Sequence, residues 1–420
     1  MAERNWAGNV QYGAERYHQP ATVDDVQSAV AASTKLRAVG SRHSFNTIAD
    51  TTGDLISMAK LDRVVDIDSV AHTVTIDGGI KYGELASHLD EHGWALANLA
   101  SLPHISVAGA CATGTHGSGV GNGGLATAVT AMQLVVASGD IVEVSRDTDP
   151  DLMAALGVNL GAVGIATRLT LEIQPTFTVW QHVYEHLPMG AAIDHLGEIM
   201  ADGYSVSLFT TWRPDHVEQV WRKQRLEPDE GDAVAVRLGA VPATRNVHPV
   251  AELSAEPCTE QMGVAGPWHE RLPHFRMGFT PSSGDELQSE LFVAASDGPE
   301  AMRTLIGLGA ELAPVLKISE VRAVAADTLW LSPCYQRDCI VLHFTWIPSW
   351  PEVQPVLARV ETALEPFAPR PHWGKLSTLD GGVVRSRFER LGAFAQLQAE
   401  WDPTGKFRNA YLHNVLVATP

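Results

Sequence analysis

Between Glu91 and Asp140 the chain has no Asp, Glu, Lys or Arg, and the centre of that stretch is dense in glycine, hydroxyls and histidine: Ala100-Ser-Leu-Pro-His-Ile-Ser-Val-Ala-Gly-Ala-Cys-Ala-Thr-Gly-Thr-His-Gly-Ser-Gly-Val-Gly-Asn-Gly-Gly124. Successive glycines let backbone N–H groups converge on an anion, and Ser and Thr hydroxyls add short donors. The chain as a whole is acidic, with 30 basic against 49 acidic residues and a net charge of −19. An anion bound in this segment must therefore rely on backbone dipoles more than on cationic side chains. That pattern suits a buried nucleotide-type cofactor. A second chemical signal lies in Val315-Leu-Lys-Ile-Ser-Glu-Val-Arg-Ala, where a period of two puts Ile318, Glu320 and Arg322 on one strand face. His343 and Thr345 share a face of a later strand, Gln288 and Glu290 alternate on another, and Lys375 follows in His372-Trp-Gly-Lys375. A carboxylate beside a guanidinium can bind neighbouring hydroxyls; the same pair also reads as an exposed ion pair on a sheet.

The elements that must position these groups fall into two regions. In the first 175 residues or so, Leu36–Gly40, Val64–Asp68, Thr73–Asp77 and Gln133–Ser138 read as strands, Val23–Ser33 and Lys81–His92 as helices, and Gln133–Val144 as a hairpin. From about residue 178 tryptophans become frequent. Longer strands at Val206–Trp212 and Ile340–Trp346 alternate with helices at Glu300–Ala313 and Val353–Leu364. A length of 420 residues calls for two domains. The acidic balance argues against nucleic acid and anionic membranes as partners. Four scattered cysteines, Cys111, Cys258, Cys334 and Cys339, form no disulfide framework or zinc pattern, which points to a reducing cytoplasm. No apolar run approaches 20 residues and the N-terminus has no apolar leader core, so a non-membrane protein is expected.

Gly119-Val-Gly121-Asn-Gly-Gly124 satisfies G-x-G-x-x-G, with Asp140 at a plausible distance for a ribose contact. The dinucleotide fingerprint needs a strand immediately before it and a helix after it. Here Thr113-Gly-Thr-His-Gly-Ser118 precedes it, which reads as loop. A nicotinamide dehydrogenase is thus the weaker reading.

The better one joins the glycine-rich segment to Val39-Gly40-Ser41-Arg42-His43-Ser44-Phe45-Asn46, directly after a strand, and to Leu160-Gly-Ala-Val-Gly-Ile165. Together these resemble the FAD-binding domain of the vanillyl-alcohol oxidase family. With Asn5-Trp-Ala-Gly-Asn9, Gly266-Pro-Trp-His-Glu-Arg-Leu-Pro-His-Phe-Arg276, Glu320-Val-Arg322, His372–Lys375 and Asp402–Asn409, the likeness runs over nearly the whole chain. Within the family it is similar to the alditol (xylitol) oxidases, with aldonolactone oxidases near by.

The resemblance implies an α+β, two-domain flavoenzyme: an FAD-binding domain over 1–177, a mixed α/β substrate (cap) domain over 178–375, and a segment, 376–420, returning to the FAD domain. His43 matches the histidine that bonds covalently to the flavin 8α carbon in this family; seen alone it reads as a turn cap. Gly40, Ser41, Arg42, Ser44, Ser101, Ser106, Gly109, Thr113, Gly114 and His116 would cradle the ribityl and pyrophosphate groups. Arg42 stands where close relatives carry a small residue, and either contacts the pyrophosphate or points away. Gly164 and Ile165 would clasp the adenosine end, and His372 would lie near the flavin ring. Ser101, Glu320, Arg322, Thr345 and Lys375 would bind the sugar alcohol, with Lys375, Arg322 and Glu320 catalytic and Lys375 favoured as the base. The implied activity is oxidation of a terminal primary alcohol of a linear polyol such as xylitol or sorbitol to the aldose, with O2 reduced to hydrogen peroxide. A monomer using no metal is expected. An aldonolactone oxidase or dehydrogenase with the same flavin site is the alternative, and a cofactor-binding protein without turnover is the rival outside enzymes.

Overall fold

The structure is a computed structural model that describes residues 3–225, 233–279 and 285–417. Its N-terminal part holds a two-stranded pair, Trp94–Ala95 with Gln174–Pro175, and two larger sheets. Arg16–His18, Asp54–Ser57 and Leu36–Val39 form a parallel sheet with Asp54–Ser57 in the middle. Val64–Asp68, Thr73–Asp77, Ile165–Glu172, Val129–Val135 and Ile141–Ser145 lie in that order across an antiparallel sheet. The expected hairpin forms between the last two strands, with Gly139 at φ 93° in its turn. Helix Val23–Ala32 starts at a reciprocal cap between Thr22 and Asp25 and buries Val26, Ala29 and Val30 at helical spacing.

The second region is built on an antiparallel sheet running Val241–Pro242, Thr178–Pro188, His216–Gln224, Ser205–Thr210, Leu316–Val324, Cys339–Trp346, Leu287–Ala294, Arg370–Pro371. Alternation gives its two faces different jobs. On one face Leu291, Val293, Val321, Leu342 and Phe344 share a core with Met189, Leu196, Met302, Leu305, Leu357 and Val360 from the covering helices. The other face carries the polar groups singled out from the sequence. One expected element differs: the helix read as Glu300–Ala313 is split into Gly298–Gly307 and Gly309–Leu312. Glycines at the junction weaken the helix, and a Cβ on Gly309 would come within 2.5 Å of the Trp212 carbonyl.

Helices Gly381–Arg387, Leu391–Trp401 and Ala410–Leu416 place Val384, Phe394, Leu412 and Val415 in one core with Leu85, Leu134 and Leu169 of the N-terminal part. Polar ties fix this return. Lys406 Nζ donates to the carbonyls of Val30 (2.6 Å) and Ala137 (2.7 Å). Asn409 Nδ2 donates to those of Thr47 (3.0 Å), Ile48 (3.1 Å) and Asp50 (2.8 Å) while its Oδ1 caps the last helix at Leu412 N. Among the described residues no helix is long and apolar enough to cross a membrane.

Replacing Asn409 with Ala removes both the cap and the clasp. The expected cost is about 2 kcal/mol, read as a lower denaturant midpoint at unchanged m-value.

Candidate active site

Cross-strand register assembles the site. Glu290, His343 and Glu320 are direct neighbours across three adjacent strands, and Phe209 extends that row. Gln288, Thr345 and Ile318 form the next row on the same face; Phe292, Val341 and Arg322 form the row on the other side. Residues two apart on a strand and directly opposite on its neighbours converge on one patch. Lys375 enters this patch from the loop after Arg370–Pro371. That loop is fixed by Asn46 Nδ2, which donates to the Trp373 and Lys375 carbonyls (both 2.8 Å), and by Phe45 N, which donates to the Gly374 carbonyl (2.7 Å). The His43 loop and the Lys375 loop therefore hold each other in place.

Glu290 is the hub. Its Oε1 lies 3.0 Å from His116 Nε2, and its Oε2 lies 2.8 Å from Lys375 Nζ, 3.0 Å from His343 Nδ1 and 3.8 Å from the Arg322 guanidinium. Burial would raise its pKa, but Lys375, His116 and His343 overcome that and hold it well below the ordinary carboxylate value. Lys375 Nζ also sits 2.8 Å from His343 Nδ1, and burial lowers the lysine pKa against the opposing pull of Glu290. Burial and the nearby Lys375 push His343 down to about 4, while its Nε2 meets Thr345 Oγ1 at 3.1 Å. Beside this group Glu320 Oε1 lies 2.7 Å from His274 Nε2, and Oε2 lies 3.2 Å from Arg322, whose other nitrogen donates to Ser101 Oγ at 3.2 Å. Burial opposes the ionised form of Glu320, yet Arg322 and His274 keep its pKa lowered. With Glu320 4% and Arg322 5% exposed, this is not the exposed ion pair that the sequence left open. Two buried carboxylates face two largely buried cations, so the site is charge-balanced and suited to a neutral, hydroxyl-rich ligand.

The same cavity is lined by Gly40, Ser41, Arg42, His43, Ser44, Ala100, Ser101, Ser106, Gly109, Thr113, His116 and His372. A second chamber shares Gly40, Ser44, Ser106, Gly109 and Thr113 with it and continues to Gly164 and Ile165. The two adjoin along these shared residues. A Cβ on Gly40 would lie 2.1 Å from Ser106 Oγ, so the two segments meet this closely only through glycine. The N–H groups of Ser41, Arg42 and His43 have no acceptor among the described residues, and Arg42 takes φ 63°, the left-handed turn that gathers neighbouring amides to one side. Arg37 lines the second chamber, but its two terminal nitrogens already donate to the carbonyls of Gly161, Phe407, Ile48 and Leu160 at 2.6–2.8 Å. A dinucleotide pyrophosphate fits such a backbone cradle. The His43 ring stacks on Trp6 with centroids 5.0 Å apart, and burial, with His104 adding to it, pushes its pKa down to about 4. It is a neutral imidazole, as nucleophilic attachment requires.

One expected cradle residue lies off the cavity, and two others line it with side chains directed away from the cradle. Gly114, at φ 71°, ends helix Val107–Ala112 against Pro333 and Trp373 and lines neither chamber. His116 is drawn to the Glu290 end by its ion pair, away from the phosphate end. The Arg42 guanidinium pairs with Glu3 on the outside instead of reaching inward. The Gly119–Gly124 run is a loop that docks on the large sheet through Gly119 N to the Ala323 carbonyl (2.8 Å), which removes the strand–glycine–helix reading. His274 and Lys223, absent from the sequence-based site, complete it behind Glu320. His274 lay unassigned inside the Gly266–Arg276 motif, and Lys223 occupies an inward position of the alternating strand His216–Gln224.

Comparison with known proteins agrees with this architecture. A family model described as "FAD binding domain" matches residues 14–145, and one described as "D-arabinono-1,4-lactone oxidase" matches residues 287–415. The chain is 46% identical over 418 residues to an alditol oxidase of a Streptomyces species, covering 99% of both chains. It is 27% identical to L-gulonolactone oxidase of Bos taurus, covering 98% of this chain and 97% of that one. Among solved structures, glucooligosaccharide oxidase from Acremonium strictum, described with a 6-S-cysteinyl, 8α-N1-histidyl FAD, superposes with a TM-score of 0.75 at 15% identity, covering 99% of this chain and 94% of that one. The fold is the two-domain, mixed α and β fold of vanillyl-alcohol oxidase-type flavoenzymes. The chain belongs to the alditol oxidase family of FAD-dependent oxidoreductases acting on CH–OH groups.

Proposed function

We propose that the protein oxidises the terminal CH2OH of a linear polyol such as xylitol or sorbitol to the aldose, with FAD held covalently through His43 and O2 as final acceptor. The observation that carries this reading is the buried, charge-balanced set Glu290, Glu320, Arg322 and Lys375, edged by the Ser101 and Thr345 hydroxyls. Such a set pairs donors and acceptors with a chain of hydroxyls and penalises analogues that lack them. When bound, FAD supplies the two-electron acceptor, and O2 carries the electrons away as hydrogen peroxide.

The residues divide the remaining work. Glu320, with one oxygen on His274 and one on Arg322, keeps lone pairs free to accept substrate hydroxyls. Ser101 and Thr345 add hydroxyls that both donate and accept. Lys375 takes the proton of the reacting hydroxyl at Nζ; burial keeps part of the amine neutral, and Glu290 at 2.8 Å stabilises the ammonium as it forms. Arg322 offsets negative charge growing on the reacting oxygen. The four buried free cysteines suit the cytoplasm. The second reading is oxidation of an aldonolactone, favoured by the family matched over 287–415. Steady-state peroxide production with xylitol, sorbitol and an aldonolactone decides between them: greater kcat/KM with the lactone would overturn the polyol assignment.

Four outcomes follow from the assigned roles. Lys375→Met retains its yellow colour but loses roughly 10²- to 10⁴-fold in kcat, the usual contribution of a general base. His43→Ala releases its flavin into the supernatant on acid precipitation, whereas the parent keeps it in the pellet. Because the His43 pKa is depressed to about 4, its ring stays neutral above that value. Covalent flavin uptake by apoprotein should then keep its rate from about pH 7.5 down to about pH 5.5, where an unshifted histidine would lose roughly tenfold. Arg42→Ala, which removes only an outward ion pair, should keep full flavin content and turnover within about twofold.

A further inference from the structure

Lys223 lies in strand His216–Gln224 and is 1% exposed, yet among the described residues no carboxylate touches its ammonium. Its Nζ meets three acceptors: the carbonyls of Leu272 (2.6 Å) and Pro273 (3.1 Å) and His274 Nδ1 (3.1 Å). Burying a lysine this deeply is costly, so the contacts it makes must serve the structure around it. The third contact decides what His274 can do. Nε2 faces the acceptor-only carboxylate of Glu320 at 2.7 Å, so the imidazole proton sits there, which leaves Nδ1 to accept from Lys223 Nζ. The ring cannot turn away, because Phe209 and Trp221 close on it edgewise at centroid distances of 5.5 and 5.1 Å.

The same segment reaches the other side of the site. The backbone N–H groups of His274 and Phe275 donate to the Ser101 carbonyl at 3.1 and 3.2 Å, and Ser101 Oγ accepts from Arg322. Lys223, by gripping 272–274, thus stands behind both Glu320 and Ser101 without touching the cavity.

We propose that Lys223 is a positioning residue for substrate recognition: through His274 it fixes the donor aimed at Glu320 and so determines which lone pairs of that carboxylate meet the substrate hydroxyls. The inference rests on the polyol reading for the identity of the substrate, not for the geometry. Without the ammonium, His274 Nδ1 and the 272–273 carbonyls lose their donor, and the Nε2–H aimed at Glu320 is no longer held in place. Glu320 would then rotate toward Arg322 and meet the substrate with the wrong face. The burden falls on binding, not on proton removal at Lys375.

A double-mutant cycle tests this. In Lys223→Met we expect full flavin absorbance, a KM for xylitol raised about 10- to 100-fold, and kcat within about fivefold of the parent. In a Glu320→Gln background the same substitution should change KM by less than about twofold, because the group it acts through is already altered. His274→Gln keeps an N–H donor for Glu320 without needing the lysine. It should hold KM within about threefold of the parent, whereas His274→Leu should match Lys223→Met. Equal KM factors in both backgrounds, an unchanged KM in Lys223→Met, or a parallel fall of kcat in all variants would overturn the proposal. If Lys223→Met does not fold, the Gln and Leu variants of His274 decide it alone. If the parent enzyme oxidises only an aldonolactone, the polyol reading fails, and the cycle run with that lactone still judges Lys223.

Discussion

A carboxylate without exposed atoms cannot stand alone inside a protein, and Glu290 is such a group. Its desolvation must be offset by nearby partners, and they come from four parts of the chain: His116 from the glycine-rich segment, His343 from the adjacent strand and Lys375 from the loop beyond the sheet, all within hydrogen-bond reach, and Arg322 at 3.8 Å from the next strand. Satisfying one buried charge thereby forces the cofactor cradle, the large sheet and the Lys375 loop into a single arrangement. Removing any one partner leaves the others uncompensated, so the site is an electrostatic unit more than a set of separate residues.

The large sheet makes that unit possible by having two different faces. Leucine, valine and phenylalanine on one side anchor the strands to helices, so the register cannot slip without expelling them to water. The opposite face is then free to carry charge in fixed rows. Polar residues within this anchored layer follow the same logic: Trp212 Nε1 donates to Ser319 Oγ at 2.8 Å and Trp346 Nε1 to Ser289 Oγ at 2.9 Å.

The cofactor end obeys another economy. In a chain of net charge −19 the anion cradle is made from glycine backbone and unpaired amides, while nearby cations are consumed elsewhere: Arg37 by four carbonyls, Lys406 by two, Arg42 by Glu3. The C-terminal helices close over this end and share its core. Cations thus brace the loops around the cradle, and the dipoles of the loops themselves remain available to the ligand.

Local chemistry was legible in the residues themselves. The charge-free, glycine-rich stretch marked a segment that lines the cavity, and alternation put Glu320 with Arg322, His343 with Thr345 and Gln288 with Glu290 on shared faces, because side-chain direction along a strand depends only on its period. The motifs around His43 and Lys375 were equally visible as patterns. What alternation could not supply was which strands become neighbours. Only tertiary pairing made Glu290 the hub between His343 and Lys375 and buried the Glu320–Arg322 pair. Only packing turned Arg42 outward, drew His116 away from the phosphate end, moved Gly114 off the cavity and recruited Lys223 and His274. Those decisions depend on what occupies the space opposite each side chain. That is a property of contacts between residues distant in sequence, and the strand period carries no information about it.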